Sequence, residues 1–210
     1  MLPTVEAINE HFTRKEREPF TMSSRIEFPY LEDNETNAPV TKEEIQWVYK
    51  GLSDNSSGSD NVDFSDWKAF DPDGTFLSTL FSSIIRKKMQ PDAWRVFRTS
   101  LILKPGKEGE SGDVGNWRPI AILDTIYRIF SKVMNRRISR WIREGNLISS
   151  VQKAVGQPDG CAEHNFILTS MEEEATRLNK PIHMVWLDLT DAFGSVPHDL
   201  IWFTLEKMGL

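Results

Sequence analysis

The sequence predicts an α+β fold that is mainly helical, with one β-hairpin and the start of a second sheet. Apolar residues recur at helical spacing in several separate stretches, which is the pattern of amphipathic helices. Two short stretches suited to strands flank a Gly-rich polar turn at 104–116, as expected for a hairpin. A third apolar run, at 184–189, fits a buried strand and contains the acid Asp188.

The elements follow one another along the chain. Residues 1–38 are polar and predict a loose lead-in. Thr41 and Glu44 form a capping box, which predicts that a helix begins there. Residues 97–103 alternate in the manner of a strand, and 117–123 are the predicted return strand. Further helices are predicted by the apolar stripes within 76–85, 126–142 and 164–178, and by Pro197 and Gly209 at the two ends of a last helix.

Asp188 is a candidate metal ligand because of its setting. A carboxylate within a buried strand needs a counter-ion, a metal or strong hydrogen bonds. Mg²⁺ is held by one or two carboxylates together with substrate phosphates, and phosphoryl-transfer enzymes use two such ions. The alternative is an acid at a strand end that caps the following turn, and from this stretch alone both interpretations stay open.

The charge is unevenly distributed along the chain. The whole sequence has a net charge of −6, but residues 86–143 contain 14 Lys and Arg against 5 Asp and Glu. A locally basic surface is what binding to nucleic-acid phosphates requires, and Arg136, Arg137 and Arg140 are the candidate contacts. The alternative is an ordinary solvated helix face.

The cysteine and hydropathy patterns bear on the compartment. Cys161 is the single cysteine, so the chain forms no internal disulfide. It lies three residues before His164, but no matching Cys or His set accompanies them, which favours packing over metal binding. The N-terminus shows no signal-peptide pattern, and no apolar run is long enough to span a bilayer. We expect an intracellular protein without a membrane partner; nucleus and cytoplasm are not distinguished.

Several motifs together resemble the reverse transcriptases of non-LTR (LINE-type) retrotransposons. L-D-L-T-D-A-F-G-S-V-P-H at 187–198 is similar to the first palm motif of that family. L-I-L-K-P-G-K at 101–107 and N-W-R-P-I-A-I-L at 116–123 resemble a fingers motif, and 151–168 resembles the next one. P-V-T-K-E-E-I at 39–45 fits the N-terminal entry. The resemblance implies part of a right-hand polymerase fold, with a lead-in at 1–38, a helix-rich fingers region at 39–180 and the start of the palm sheet at 181–210.

The resemblance also implies roles for single residues. Asp188 matches the catalytic metal-binding acid, joined by the carbonyl of Leu189, with Mg²⁺ or Mn²⁺ as the ion. Arg118 matches the arginine that grips the triphosphate, and Lys104 is a second candidate contact. The remaining nucleotide-binding candidates are Asp191, Ala192 and Phe193, the last packing under the incoming sugar. The implied partners are an RNA template, a DNA primer and deoxynucleoside triphosphates.

Alternatives remain for three of these residues, and the chain departs from the family pattern. The alternatives are that Phe193 is a core residue, that Arg118 forms a surface ion pair and that Lys104 is a solvated loop residue. Gly194 stands where the family usually has Asp, and Ala154-Val155 where Gly-Phe is common. No aromatic-Ala-Asp-Asp sequence, the second acidic motif, occurs in the chain.

The missing motif leads us to expect a truncated fragment that is inactive alone, with an incomplete metal site. Two other functions are considered. One is a non-catalytic nucleic-acid-binding module derived from such an element. The other is an unrelated Asp-dependent phosphotransferase, suggested by D-L-T at 188–190, although that motif normally has an acid at position 190.

Overall fold

The computed structural model describes residues 2–12, 29–32, 35–53, 57–149, 151–153, 160–189 and 192–210. These residues form eight α-helices and one two-stranded sheet. In chain order the elements are α1 (Val5–Phe12), α2 (Lys42–Lys50), α3 (Phe64–Phe70), α4 (Thr75–Lys87), β1 (Arg98–Leu103), β2 (Trp117–Ile122), α5 (Thr125–Glu144), α6 (Gly160–Arg177), α7 (Ala192–Ser195) and α8 (His198–Met208). The α+β class with one hairpin is confirmed.

Contacts between residues divide the described chain into two compact units. The first comprises the described residues of 1–16 and 34–137, and the second those of 17–33 and 138–210. Most of α5 belongs to the first unit, and its last turns belong to the second. The units are described separately below.

The first unit has a continuous apolar core. It is built from α2, the start of α3, α4 and the first half of α5, whose inward residues follow the helical spacing seen in the sequence. The aromatic rings of Phe81, Trp94 and Phe130 meet one another at centroid distances of 5.1 to 6.3 Å. The buried members of this core are Val40, Ile45, Val48, Tyr49, Leu52, Phe64, Leu77, Phe81, Trp94, Ile129 and Val133.

Local hydrogen bonds fix the helix starts in this unit. The predicted capping box is present: the Thr41 hydroxyl accepts from the amide of Glu44 at 3.3 Å, and the Glu44 carboxylate accepts from the amide of Thr41 at 3.0 Å. At the start of α4, the Asp71 carboxylate accepts from the amides of Phe76 and Leu77. Gly74 precedes α4 with φ +77°, and a Cβ there would lie 2.8 Å from the Cβ of Ile45. These contacts bring α4 against α2.

The predicted hairpin is also confirmed. β1 and β2 pair antiparallel, with Arg98 opposite Ile122 at the open end and Leu103 opposite Trp117 at the loop end. The amide of Lys104 donates to the carbonyl of Asn116 at 2.8 Å and continues the ladder into the loop. The loop itself contains two short 3-10 turns, at 108–110 and 114–116. Residues directly opposite each other share one face of the pair, so Arg118 and Ile102 lie on the same face as Arg98.

The second unit is organised around Leu31. The indole N–H of Trp141, in the last turns of α5, donates to the Leu31 carbonyl at 2.8 Å, and the Leu31 amide donates to the carbonyl of Met208 at 3.0 Å. α8 begins after Pro197 and ends at Gly209, which has φ +102°. A Cβ on Gly209 would lie 2.4 Å from the Leu31 carbonyl oxygen, so only glycine fits this helix end. The predicted helices over 164–178 and 197–209 correspond to α6 and α8.

The predicted strand at 184–189 is not formed. Residues 181–189 have neither helical nor strand hydrogen bonding, and the described residues contain no sheet other than β1 with β2. The apolar side chains there are exposed, with Val185 at 81% and Leu187 at 92%. A strand needs a hydrogen-bonded neighbour and a covered face, and the described residues supply neither to this segment. The expectation that Asp188 lies in a buried strand was therefore wrong for this structure.

Candidate functional site

Lys104 and Arg118 lie at the loop end of the hairpin, in the first unit. Arg118 is opposite Ile102, its side chain is exposed, and it makes no ion pair with any residue that the structure describes. Lys104 is half-buried, and its ammonium donates to the carbonyl of Gly115 at 2.7 Å. Lys104 is thus neither a solvated loop residue nor a free cation, since it closes the base of the loop. Arg118 is the more available of the two for an anionic ligand.

Asp188 and Leu189 lie in the second unit. The Asp188 carboxylate is exposed, and its Oδ1 accepts from the amide of Leu189 at 3.0 Å. Ala192 and Phe193 begin α7, a helix of four residues, and the Phe193 side chain is 99% exposed. Phe193 is therefore not part of a core within the described chain. Asp191 lies outside the described residues.

The residues proposed for nucleotide binding thus fall into two groups. Lys104 and Arg118 belong to the hairpin of the first unit, and Asp188, Leu189, Ala192 and Phe193 belong to the second. In the first group Lys104 directly follows β1 and Arg118 lies in β2, both at the loop end of the hairpin; the members of the second group are close in sequence.

The donor chemistry near Asp188 suits a hard cation, but the number of donors is small. Mg²⁺ prefers about six oxygen ligands in an octahedral arrangement. Asp188 offers a carboxylate and Leu189 a carbonyl, while no group of three or more His, Cys, Asp or Glu that could hold a metal is found among the described residues. Asp188 and Leu189 alone therefore provide fewer oxygen ligands than Mg²⁺ prefers.

Arg137 has a structural position that the sequence did not reveal. Its side chain is buried, and its guanidinium donates to both oxygens of the Glu44 carboxylate at 2.7 and 2.6 Å. The rest of the guanidinium donates to backbone carbonyls of the segment just before α2, namely those of Glu35, Thr36, Ala38 and Pro39. Every nitrogen of this guanidinium donates to an oxygen of the described chain, so the predicted contact of Arg137 with nucleic acid gains no support from this structure. Residues 35–38, predicted within a loose lead-in, are held by it in a turn.

The Arg137 contact also sets the protonation of Glu44. Burial acts to raise the pKa of Glu44, but the hydrogen bonds from the Arg137 guanidinium and the Thr41 amide outweigh it. The pKa of Glu44 therefore lies below its ordinary value, and the carboxylate stays charged beside the guanidinium. The same carboxylate thus caps α2 and pairs with α5.

Of the other α5 cations, Lys132 and Arg136 in the first unit and Arg140 and Arg143 in the second are exposed. Arg128 is half-buried, and its guanidinium lies over the ring of Phe64 at 4.6 Å. Lys132 and Arg136 are one turn apart and therefore lie on the same side of the helix. The guanidinium of Arg136 also lies over the ring of Trp47, with its central carbon 4.3 Å from the ring centroid. We call Lys132 and Arg136 the α5 basic face; Arg136 belongs to the triplet predicted from the sequence, and Arg137 of that triplet is buried.

Comparison with known proteins places these features in a family. The family model described as reverse transcriptase (RNA-dependent DNA polymerase) matches residues 102–210, which is more than half of the chain. The chain belongs to the reverse transcriptase family. The matched range begins at the end of β1 and includes β2, α5, Asp188 and α8.

Individual relatives agree with this assignment. A retrovirus-related Pol polyprotein from the type-1 retrotransposable element R2 of Popillia japonica is 26% identical over 176 residues, covering 83% of this chain and 23% of the relative. The corresponding R2 protein of Nasonia vitripennis is 28% identical, covering 82% and 16%. A probable RNA-directed DNA polymerase from transposon BS of Drosophila melanogaster is 26% identical, covering 81% and 19%. This reverse transcriptase chain thus spans less than a quarter of the length of these curated relatives.

Two features of the site were missed by reasoning from the sequence. The Arg137–Glu44 pair joins residues 93 positions apart, and nothing local indicates it apart from the capping-box role of Glu44. The Trp47–Arg136 contact was missed for the same reason, although an aromatic residue on the polar side of a predicted helix was a usable signal.

None of the described helices is both long and apolar enough to cross a membrane.

Proposed function

We propose that this chain is the fingers and first palm part of an RNA-directed DNA polymerase of a non-LTR retrotransposon, acting in two-metal nucleotidyl transfer. The observation that carries the proposal is the family match over 102–210, which includes Arg118 on β2 and Asp188. The relatives whose names state a polymerase or a retrotransposon support the same class. The chain would act on an RNA template and a DNA primer, with deoxynucleoside triphosphates as substrates.

In this proposal the hairpin holds the triphosphate. Arg118 has an exposed guanidinium without an ion-pair partner in the described chain, and such a fork suits bidentate contact with phosphate oxygens. Lys104 keeps donors beyond the one used for Gly115, because an ammonium has three. Asp191 and Ala192 would meet the phosphates through their backbone, and Phe193 would pack under the sugar.

Asp188 and the Leu189 carbonyl would provide part of the site for Mg²⁺, or for Mn²⁺. The ion would supply Lewis-acid stabilisation of charge on the reacting phosphate oxygens. The chain lacks the aromatic-Ala-Asp-Asp motif, so the carboxylates for a two-metal site are incomplete. We therefore expect the 210-residue chain to show no synthesis in a primer-extension assay with a primed RNA template and either ion; extension that Asp188→Ala abolishes would contradict this.

Triphosphate binding tests the proposal without requiring catalysis. A photoreactive deoxynucleoside triphosphate should crosslink to the chain, and Arg118→Gln should reduce the crosslinking several-fold. Arg98→Gln is the matched control, because Arg98 is exposed on the same face of the same hairpin but at its open end. Equal crosslinking of the wild type, the Arg118 variant and the Arg98 variant would contradict the role of Arg118.

A second candidate function is a non-catalytic nucleic-acid-binding module. The α5 basic face supports it, because aligned exposed cations bind phosphates in a salt-dependent manner. Lys132→Glu combined with Arg136→Glu should weaken RNA binding at low salt at least tenfold and flatten its dependence on salt. Lys180→Glu combined with Lys207→Glu produces the same change in net charge elsewhere and should have little effect. RNA binding without any triphosphate crosslinking would favour this module over the polymerase fragment.

A further inference from the structure

We propose that Trp47, with Arg136 beside it, forms a stacking site for one unpaired base of a single-stranded nucleic acid, and that the neighbouring cations hold its phosphates. The inference rests on the proposed nucleic-acid binding and adds to it a named base contact and a preference for single strands. All of the residues involved belong to the first unit.

Trp47 differs from the tryptophans that hold the fold. Trp67, Trp117 and Trp141 each donate their indole N–H to an oxygen of the chain, at 3.0, 2.9 and 2.8 Å. The indole of Trp47 donates to no residue that the structure describes, and its side chain is 47% exposed. One side of its ring system faces the Arg136 guanidinium at 4.3 Å. Trp47 is thus an aromatic surface with a hydrogen-bond donor that the fold does not use.

The surroundings hold this pair in place. On α2, core residues stand on either side of Trp47 in the sequence: Ile45 is fully buried and Val48 is 1% exposed. On α5 the residue after Arg136 is Arg137, whose guanidinium is tied to Glu44 of α2. The two backbones that present Trp47 and Arg136 are therefore fixed by buried contacts, which lowers the ordering cost of binding.

The charges around the pair suit a phosphodiester chain. Lys132 lies one turn before Arg136 on the same side of α5, and Lys50 lies one turn after Trp47 on α2; both are exposed. Arg136 forms no ion pair with the described residues. Two glutamates lie one turn before Trp47, and one of them, Glu44, is paired with Arg137. The other, Glu43, is exposed, and its pKa is lowered by hydrogen bonds with its own backbone amide and with Thr41. Glu43 should repel a phosphate near the pair.

This combination favours a nucleic acid over a peptide, and a single strand over a duplex. Proteins that bind single strands combine a basic track with aromatic rings on which bases stack, and arginine adds to the stack. In a duplex the bases are already stacked and paired, so an aromatic ring on a helix surface gains little. An acidic peptide would meet the cations but would not need the indole face.

Binding measurements with matched strands test the inference. A labelled 12-nucleotide RNA, the DNA of the same sequence, and the duplex of that DNA are titrated at low salt with wild type, Trp47→Ala and Trp47→Phe. Trp47→Ala should lose about tenfold in affinity for both single strands and less than twofold for the duplex. Trp47→Phe should retain most of the affinity, and Glu43→Gln should strengthen it.

Controls separate this inference from the proposal on which it rests. Trp202→Ala removes another exposed tryptophan, 68% exposed in α8, and should leave all three affinities unchanged. Thermal unfolding checks that Trp47→Ala is folded. If Trp47→Ala is not folded, the affinities of Trp47→Phe and the wild type are compared instead. The inference is overturned if Trp47→Ala loses equal affinity for the single strands and the duplex, or if it binds all of them as the wild type does. It is also overturned if an acidic peptide competes with the nucleic acid in a manner that depends on Trp47. If the wild type binds none of the nucleic acids, the proposed binding function fails as well.

Discussion

The two units of this chain are packed very differently. The first has a core of eleven buried apolar residues drawn from four helices and the segments between them. In the second, the buried apolar side chains among the described residues are Trp141 and Leu147. Its apolar residues at 184–189 and in α7 are instead exposed, with Leu187 at 92% and Phe193 at 99%.

This difference indicates where the stability and the chemistry of the chain lie. The hairpin that carries Arg118 belongs to a unit with its own core, so its geometry is set by contacts within that unit. Asp188 belongs to a segment with few such contacts, although this segment carries the stretch that resembles the first palm motif. Regions with few buried apolar contacts open at low free-energy cost. We therefore expect the first unit to determine the unfolding free energy.

The sharpest test removes the same side chain from both units. Phe81→Ala deletes a fully buried ring that contacts Trp94 and Phe130, and it should lower the free energy of unfolding by about 3–5 kcal/mol. Phe193→Ala deletes a ring that is 99% exposed and should change it by less than about 0.5 kcal/mol. Urea unfolding followed by circular dichroism measures both values.

Hydrogen exchange provides the control for this comparison. Amides of α5 at 129–137 should exchange only through global unfolding, whereas those at 185–189 should exchange at nearly the rate of an unfolded peptide. The second unit is packed as firmly as the first if the two phenylalanine variants lose comparable free energy of unfolding. Strong protection of the amides at 185–189 in a monomeric sample would show the same.

The second test concerns the buried ion pair of the first unit. Glu44→Gln removes the charge that faces the Arg137 guanidinium and should cost about 1.5–3 kcal/mol at pH 7. The pKa of Glu44 in the folded state lies below its ordinary value of 4.5, so its contribution is complete above the unfolded-state pKa and is lost as the pH falls through the folded pKa. The difference between wild type and variant should therefore shrink below about pH 4.5.

Glu43→Gln is the matched control, because Glu43 is the adjacent glutamate of α2 and is exposed. It should change stability little, since an exposed hydrogen bond competes with water. A difference between Glu44→Gln and wild type that stays constant from pH 7 to pH 3 would contradict the assigned charge state of Glu44.

The features that the sequence predicted correctly are those encoded locally. The start of α2 followed from Thr41 and Glu44, and the hairpin followed from alternation around a polar turn, because each depends on neighbours in the chain. The strand at 184–189 could not be established in this way, since a strand exists only with a partner. The role of Arg137 was missed because its partners lie 93 to 102 residues away. The roles of Arg118 and Asp188 stay predictions from the family resemblance.

The smallest expected effect concerns Mg²⁺. The Asp188 carboxylate is exposed, and one of its oxygens already accepts from the Leu189 amide, so the residues that the structure describes there offer too few oxygens to bind the ion tightly. If the dissociation constant is no lower than 10 mM, then 10 mM Mg²⁺ stabilises the fold by at most about 0.4 kcal/mol. For a chain of this size that corresponds to a rise in Tm of less than about 1.5 °C. Asp188→Asn should show the same small rise in Tm with Mg²⁺. Samples with NaCl at equal ionic strength are the control. A larger rise in Tm that is absent in Asp188→Asn would show that Asp188 already belongs to a formed metal site. The second unit would then be ordered around Asp188, which its packing does not predict.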